Sequence, residues 1–375
     1  MNFINFSENI TRLRHEKKIT QEQLADFVGV TKSSVSKWEK KQSMPDVLLL
    51  PQLAAFFDVS IDELLGYEPQ LSTEQMQKIY SELAAEFATA PFEKVVEKSM
   101  NLAKQYYSCY PFIYRICLLL VNHYMLSQDE ERQKEILAYA SKLCIRISIN
   151  GKNIGLRNDA IHLNAMITLL MGNPKAVIEA LEDVVNPCHV SHQSEGILIK
   201  AYQMANEMEK ADSYTQISMY NHLLALISGA TEYIGIHSDS TEVCDETVER
   251  IKALEKAYNL EQLHPNSISL FYYHAAIVYS INGKKEEAIN ILEKFVKCID
   301  KAFEGNYLTL HGDDYFDKLE TWFEQTELSG NLPRDKSIIL DSALQGINNP
   351  AFKILENEDA YQNMKDILVK RGKAL

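Results

Sequence analysis

At 375 residues the chain has room for two or three domains, each with its own core. Hydrophobic residues at 46% and charged residues at 24% describe an ordinary globular protein, and a formal charge of −14 excludes a surface that binds nucleic acid throughout. The charge is unevenly spread: residues 1–41 hold eight Lys+Arg against five Asp+Glu (+3), leaving 30 basic and 47 acidic residues (−17) for the remainder, which suits a small DNA-contacting head on a body that avoids DNA.

The first helix is predicted from about Ser7, with Ile10 and Leu13 facing a core and Arg14 beside them. Thr20 with Gln23 three residues on forms a capping box, so a second helix should start at Gln21, with Leu24, Ala25 and Val28 on its apolar face. Gly29 stops it, because glycine reaches φ > 0 without a steric cost. Val30 fills the turn and Thr31 caps a third helix whose apolar side is Val35 and Trp38. Its outer side is then Lys32, Ser33, Ser36 and Lys37, small polar and basic groups of the kind that meet base edges in a major groove. A further helix after Pro45-Asp46 carries Leu50, Leu53, Ala54 and Phe57. It tolerates Pro51 only if Pro51 lies in its first turn. Ser60 and Glu63 then mark the start of a last short helix, Ile61–Leu65.

Residues 7–66 thereby resemble a helix-turn-helix domain of the phage-repressor-like (Cro/CI, or xenobiotic-response-element) family. The resemblance is carried by LRHEKKITQEQLADFVGVTKSSVSKWEKKQSMPD followed by LAAFFDVSIDELL. It implies a five-helix domain whose base-reading residues are Lys32, Ser33, Ser36 and Lys37. Gln21 would offer its backbone N–H and side-chain amide to a phosphate, and Lys40 and Lys41 would grip the DNA backbone. It further implies that Arg14 pairs with Glu39, the residue after the helix's tryptophan. Pro51 departs from the family pattern.

Gly66-Tyr67-Glu68-Pro69 reads as a linker, placing the head at 1–66, the linker at 67–71 and a second domain at 72–375. From Ser72 and Gln75 onward nearly everything is helical in pattern, apart from a brief strand-like hint around Cys144–Ile149. In SLFYYHAAIVYSINGKKEEAINILEKF, Ala276, Tyr279, Gly283, Ala288 and Leu292 are spaced like the small–aromatic–glycine–alanine–bulky series of a tetratricopeptide repeat. Tyr202, Asn206 and Ala211 fall in the same frame. Another turn falls at Gly172, 34 residues before Asn206, although that copy is one residue short between turn and alanine. The tail from Asn349 reads as a terminal repeat with Phe352, Leu355, Tyr361 and Met364 turned inward. Counting back from each turn, His162 and Met166, Lys200 and Gln203, and Tyr273 and Ser280 point to the concave side, with Asn122 in a less regular copy. Amide, basic and aromatic groups together would suit an extended peptide.

No basic segment followed by an apolar stretch opens the chain, and the longest apolar run, near Ile116–Val121, is too short to cross a bilayer, so a cytoplasmic protein with no membrane partner is expected. Six cysteines without a CxxC pattern read as reduced structural thiols. Cys188-His189-x-x-His192 with Glu195 is the only metal-like cluster. It lacks a second cysteine and follows the loop signal Asn186-Pro187, so no metal and no other cofactor is expected. His311-Gly312-Asp313-Asp314 reads as an inter-helix loop. No GxSxG, Walker loop, GxGxxG or HExxH occurs, and no catalytic residue is assigned.

Taken whole, the architecture resembles repressor-like regulators of Gram-positive bacteria that join such a head to a tetratricopeptide-like body, some of which sense short peptides. The expected protein is all-α: a DNA-binding regulator that acts on a double-stranded operator as a homodimer, with a peptide or small-molecule effector in the body and no enzymatic activity. The alternative is a protein-interaction, antitoxin-like module whose DNA-binding head is autoregulatory.

Overall fold

Helix-forming signals dominate the sequence and helices dominate the fold. A computed structural model describes residues 5–67, 71–182, 194–304, 309–326, 328 and 332–373, and no strand occurs among them. The chain divides into two compact units, residues 1–73 with 103–112, and residues 74–102 with 113–375.

In the first unit, helices α1 (Phe6–Glu16), α2 (Gln21–Val28), α3 (Lys32–Glu39), α4 (Leu50–Phe57) and α5 (Ile61–Leu65) follow the expected order. The capping box is complete: the Gln23 N–H donates to Thr20 Oγ1 at 3.2 Å, and the Thr20 N–H donates to Gln23 Oε1 at 2.8 Å. Gly29 ends α2 at φ 72°, and Thr31 Oγ1 accepts from the Ser34 N–H to start α3. A 3-10 turn at Val47–Leu49 delays α4, which leaves Pro51 in its first turn, where the missing N–H has no intrahelical partner to lose. Phe6, Ile10, Leu13, Leu24, Val35, Trp38, Leu53, Phe57 and Leu64 close one core.

The body continues as α6 (Thr73–Thr89), α7 (Phe92–Gln105), α8 (Tyr110–His123), α9 (Glu130–Asn150), α10 (Ile154–Leu170) and α11 (Pro174–Leu181). Then come α12 (Ser194–Met204), α13 (Met208–Ile236), α14 (Thr241–Tyr258), α15 (Leu260–Leu263), α16 (Pro265–Ile281) and α17 (Lys285–Glu304). The chain closes with α18 (Leu319–Gln325), α19 (Lys336–Ile347) and α20 (Asp359–Lys373). The turns predicted at Gly172, Asn206 and Gly283 all have left-handed backbones, at φ 77°, 60° and 73°. Each short reversal lays two helices antiparallel. In the pair α16–α17 the small residues Ala276 and Ala288 are wholly buried with Leu292, and Tyr279 is nearly so, as close packing of two helices requires. Phe352, Leu355, Tyr361 and Met364 are likewise buried, completing the body core at its C-terminal end.

The strand-like hint at Cys144–Ile149 lies inside α9: Cys144 and Ile147, three residues apart, share its buried face, and helical packing overrides local β-branched content. The residues Cys188, His189 and His192 lie outside the described residues. His311–Asp314 is irregular backbone, and Asp313 Oδ1 accepts the N–H groups of Tyr315 and Phe316 at 3.0 and 2.8 Å, a turn-forming role. No helix among the described residues is long and apolar enough to cross a membrane.

Candidate nucleic-acid interface

Burying Val35 and Trp38 fixes which side of α3 faces outward. Lys32, Ser33 and Lys37 are exposed and Ser36 is half-buried, so all four predicted readers share the outer part of one short helix. Trp38 sets the depth of α3 by packing edge-on to Phe6, with ring centroids 6.4 Å apart.

The orientation of α3 is locked by its last residue. Glu39 accepts from Arg14 Nε at 2.6 Å and Nη2 at 3.2 Å, a forked pair whose side chains are only 10% (Arg14) and 8% (Glu39) exposed. Arg14 Nη1 also donates to the Ile19 carbonyl at 2.9 Å, which ties the loop before α2 to the same guanidinium. Burial pushes the Glu39 carboxyl up. Hydrogen bonds from Arg14 and Gln21, with the positive charge of Arg14, outweigh it and hold the group below its ordinary value.

The Gln21 side chain is engaged inside the head. Its side-chain amide donates to Glu39 Oε2 at 2.7 Å, so one of its two N–H bonds braces α2 against α3. Lys41 pairs with Glu8 at 2.7 Å and has a left-handed backbone, while Lys40 is exposed. Lys32 lies 3.5 Å from Glu22 on α2, an exposed pairing that sequence periodicity did not bring out because the two residues sit on different helices.

In the body, Lys200 and Gln203 come together, with Lys200 Nζ donating to Gln203 Oε1 at 3.3 Å. They edge two shallow hollows between α12 and α13: Lys200 with Ile197, Ser218 and His222, and Gln203 with Met208 and Thr215. His162 and Met166 are exposed on α10. Asn122 is half-buried and donates to the Leu118 carbonyl of its own helix at 2.9 Å. Tyr273 is half-buried. Its hydroxyl accepts from Asn349 at 3.0 Å, and its ring packs near Phe295 and Phe352 beside Gly346, so it braces α16 against the C-terminal segment. Ser280 is buried as well. Counting from a turn identifies the helix face but not a neighbouring helix that covers it.

Residues 10–64 match the model of the family described as HTH_3, helix-turn-helix. Over 84 residues the chain is 36% identical to the HTH-type transcriptional activator BcrR of Enterococcus faecalis, covering 21% of this chain and 41% of BcrR. Over 63 residues it is 38% identical to the uncharacterized HTH-type transcriptional regulator YqaE of Bacillus subtilis, covering 17% of this chain and 54% of that protein. The chain thus spans about half the length of the curated relatives it matches. Among solved structures, it is similar to Bacillus thuringiensis PlcR in complex with the peptide PapR7 and DNA, at 15% identity and a TM-score of 0.31 over 81% of this chain and 98% of that one. With the core, caps and outward polar face of α3 in place, residues 10–64 form a helix-turn-helix domain.

Proposed function

We propose that this protein is a sequence-specific DNA-binding transcription regulator whose α3 reads an operator and whose helical body dimerises and senses an effector. The observation that carries this reading is the outer face of α3, where Lys32, Ser33, Ser36 and Lys37 lie clear of the core while Arg14 and Glu39 hold the helix in one orientation. Lysine can donate to guanine O6 and N7, and serine can pair with several bases. Lys40, Lys41 and the start of α2 at Gln21 supply phosphate contacts that set register.

A head of this size offers little area, so two heads on a two-fold dimer, reading half-sites about one helical turn apart, form the working unit. The body's part is supported by its own surface. Around Lys200 and Gln203, the side chains Ile197, Met204 and Met208 stay exposed, which gives apolar pockets beside hydrogen-bonding groups and fits an extended peptide. An effector bound there would act by changing how the two heads are spaced.

The test is binding of the purified protein to DNA from upstream of its own gene across a salt series, beside a Lys32→Ala/Lys37→Ala double variant. Specific binding that weakens steeply with salt and collapses in the variant supports the reading. Equal, weak binding of both proteins to any duplex contradicts it. The sensing half of the proposal fails if candidate peptides leave both dimer geometry and operator affinity unchanged.

A further inference from the structure

Helix α14 ends at Asn259, whose left-handed backbone (φ 48°) reverses the chain directly into α15. That reversal brings Glu255 and Glu261 together over α17, where Cys298 is fully buried, and one ligand atom from each of the three lies within 4.8 Å of the others. The geometry points to a binding site for a divalent transition metal of the zinc type, held by the Glu255 and Glu261 carboxylates and the Cys298 sulfur. This inference is independent of the DNA-reading proposal.

Two features separate this cluster from an ordinary patch of surface charge. Glu255 Oε1 is buried with no hydrogen-bond partner, although Oε2 of the same carboxylate accepts from the Tyr272 hydroxyl at 2.6 Å and lies 3.4 Å from Lys294 Nζ. An unpaired buried carboxylate oxygen is costly unless a cation meets it. The second feature is Cys298 itself, a thiol at 0% exposure whose sulfur lies within 4.8 Å of an oxygen of each carboxylate.

One sulfur and two carboxylate oxygens form a three-residue ligand set for zinc, with a fourth position open to water. Calcium and magnesium, which take oxygen ligands, fit poorly. The hydroxyl of Tyr272 holds Glu255 in place from behind, as outer groups at metal sites commonly do. Lys294 beside Glu255 and Lys301 beside Glu261 are the resident counter-charges. Their side chains are 33% and 57% exposed, so both can swing to solvent as the metal enters. On binding, a metal–sulfur bond replaces the S–H bond and the proton leaves to solvent. The bound ion would join α14, α15 and α17.

The experiment titrates the full chain with Co²⁺ as the spectroscopic probe and then with Zn²⁺ as competitor. The expected result is one Co²⁺ per chain with a sulfur-to-cobalt charge-transfer band that Zn²⁺ abolishes. Cys298→Ser should remove the band, and Glu255→Gln should weaken binding at least tenfold. Cys188→Ala should leave the band unchanged, which separates this site from the Cys188/His189/His192 cluster. Lys301→Met, which removes a competing cation, should tighten binding severalfold, a gain that a misfolded variant cannot mimic. Absence of the band in the unmodified protein, its survival in Cys298→Ser, its loss in Cys188→Ala, or no tightening in Lys301→Met would each overturn the proposal.

Discussion

Arg14 and Glu39, 25 residues apart in sequence, form a forked ion pair almost entirely withdrawn from water, and it joins the first helix of the head to the last residue of α3. Because Gln21 donates to the same carboxylate, three helices meet at one acidic side chain. The pair's value is geometric. A buried ion pair adds little net stability over an apolar substitute, but removing one partner strands a charge. Arg14→Ala should therefore cost about 3–5 kcal/mol of head stability. Arg14→Lys, which keeps the charge and loses the fork, should cost less but still weaken DNA binding by misorienting α3. Thermal unfolding of residues 1–66 beside operator titration of the full chain checks both.

Acidification should act on the same residue. Glu39 has a folded-state pKa below its unfolded one, so its contribution is present above the ordinary carboxylate range and is lost as pH falls through the lowered value. Glu39→Gln should flatten the low-pH limb of the head's stability curve while reducing stability at neutral pH. Denaturant midpoints across a pH series measure both effects.

In the body the corresponding group is His123. It is buried and stacked on Phe87 with centroids 4.3 Å apart, and its Nδ1 lies 2.8 Å from the Leu119 carbonyl. Burial, with a smaller contribution from the charge of Arg334, lowers it to about 4. Between its unfolded value near 6.5 and about 4 the unfolded chain holds the extra proton, so stability falls as pH drops through that window. The loss is on the order of 3 kcal/mol. His123→Gln should lower stability at pH 7 and remove that part of the pH dependence.

Among the described residues, Glu22 is the one acidic side chain paired with a proposed base reader. The exposed Lys32–Glu22 pair contributes little to stability, but its carboxylate faces the same solvent as the DNA would. Glu22→Gln should raise DNA affinity a few-fold and leave thermal stability within about 0.5 kcal/mol. A fluorescence-anisotropy titration at fixed salt reads the change.

The head was largely legible from sequence because its signals are local. Capping pairs, a turn glycine and a two-residue apolar face fix α2 and α3 without long-range information, and even Pro51 located its helix start correctly. The repeat turns at Gly172, Asn206 and Gly283 were legible for the same reason. What sequence counting could not supply was covering contacts. Tyr273 has the periodicity of a groove residue, yet Asn349, 76 residues on, takes its hydroxyl. Gln21 reads as a free helix-start amide, yet its partner is 18 residues away. Glu255, Glu261 and Cys298 share no local motif at all, since a backbone reversal and a third helix bring them together.

If the outer face of α3 chooses DNA sequence, selection from a pool of random duplexes will show it. Unmodified protein should enrich a two-fold motif with half-sites about one helical turn apart. Ser36→Ala and Lys37→Ala should change the preferred bases within each half-site, while Lys40→Ala should weaken binding without altering the motif. No enriched sequence, or the same motif from every α3 variant, would show that α3 does not read bases.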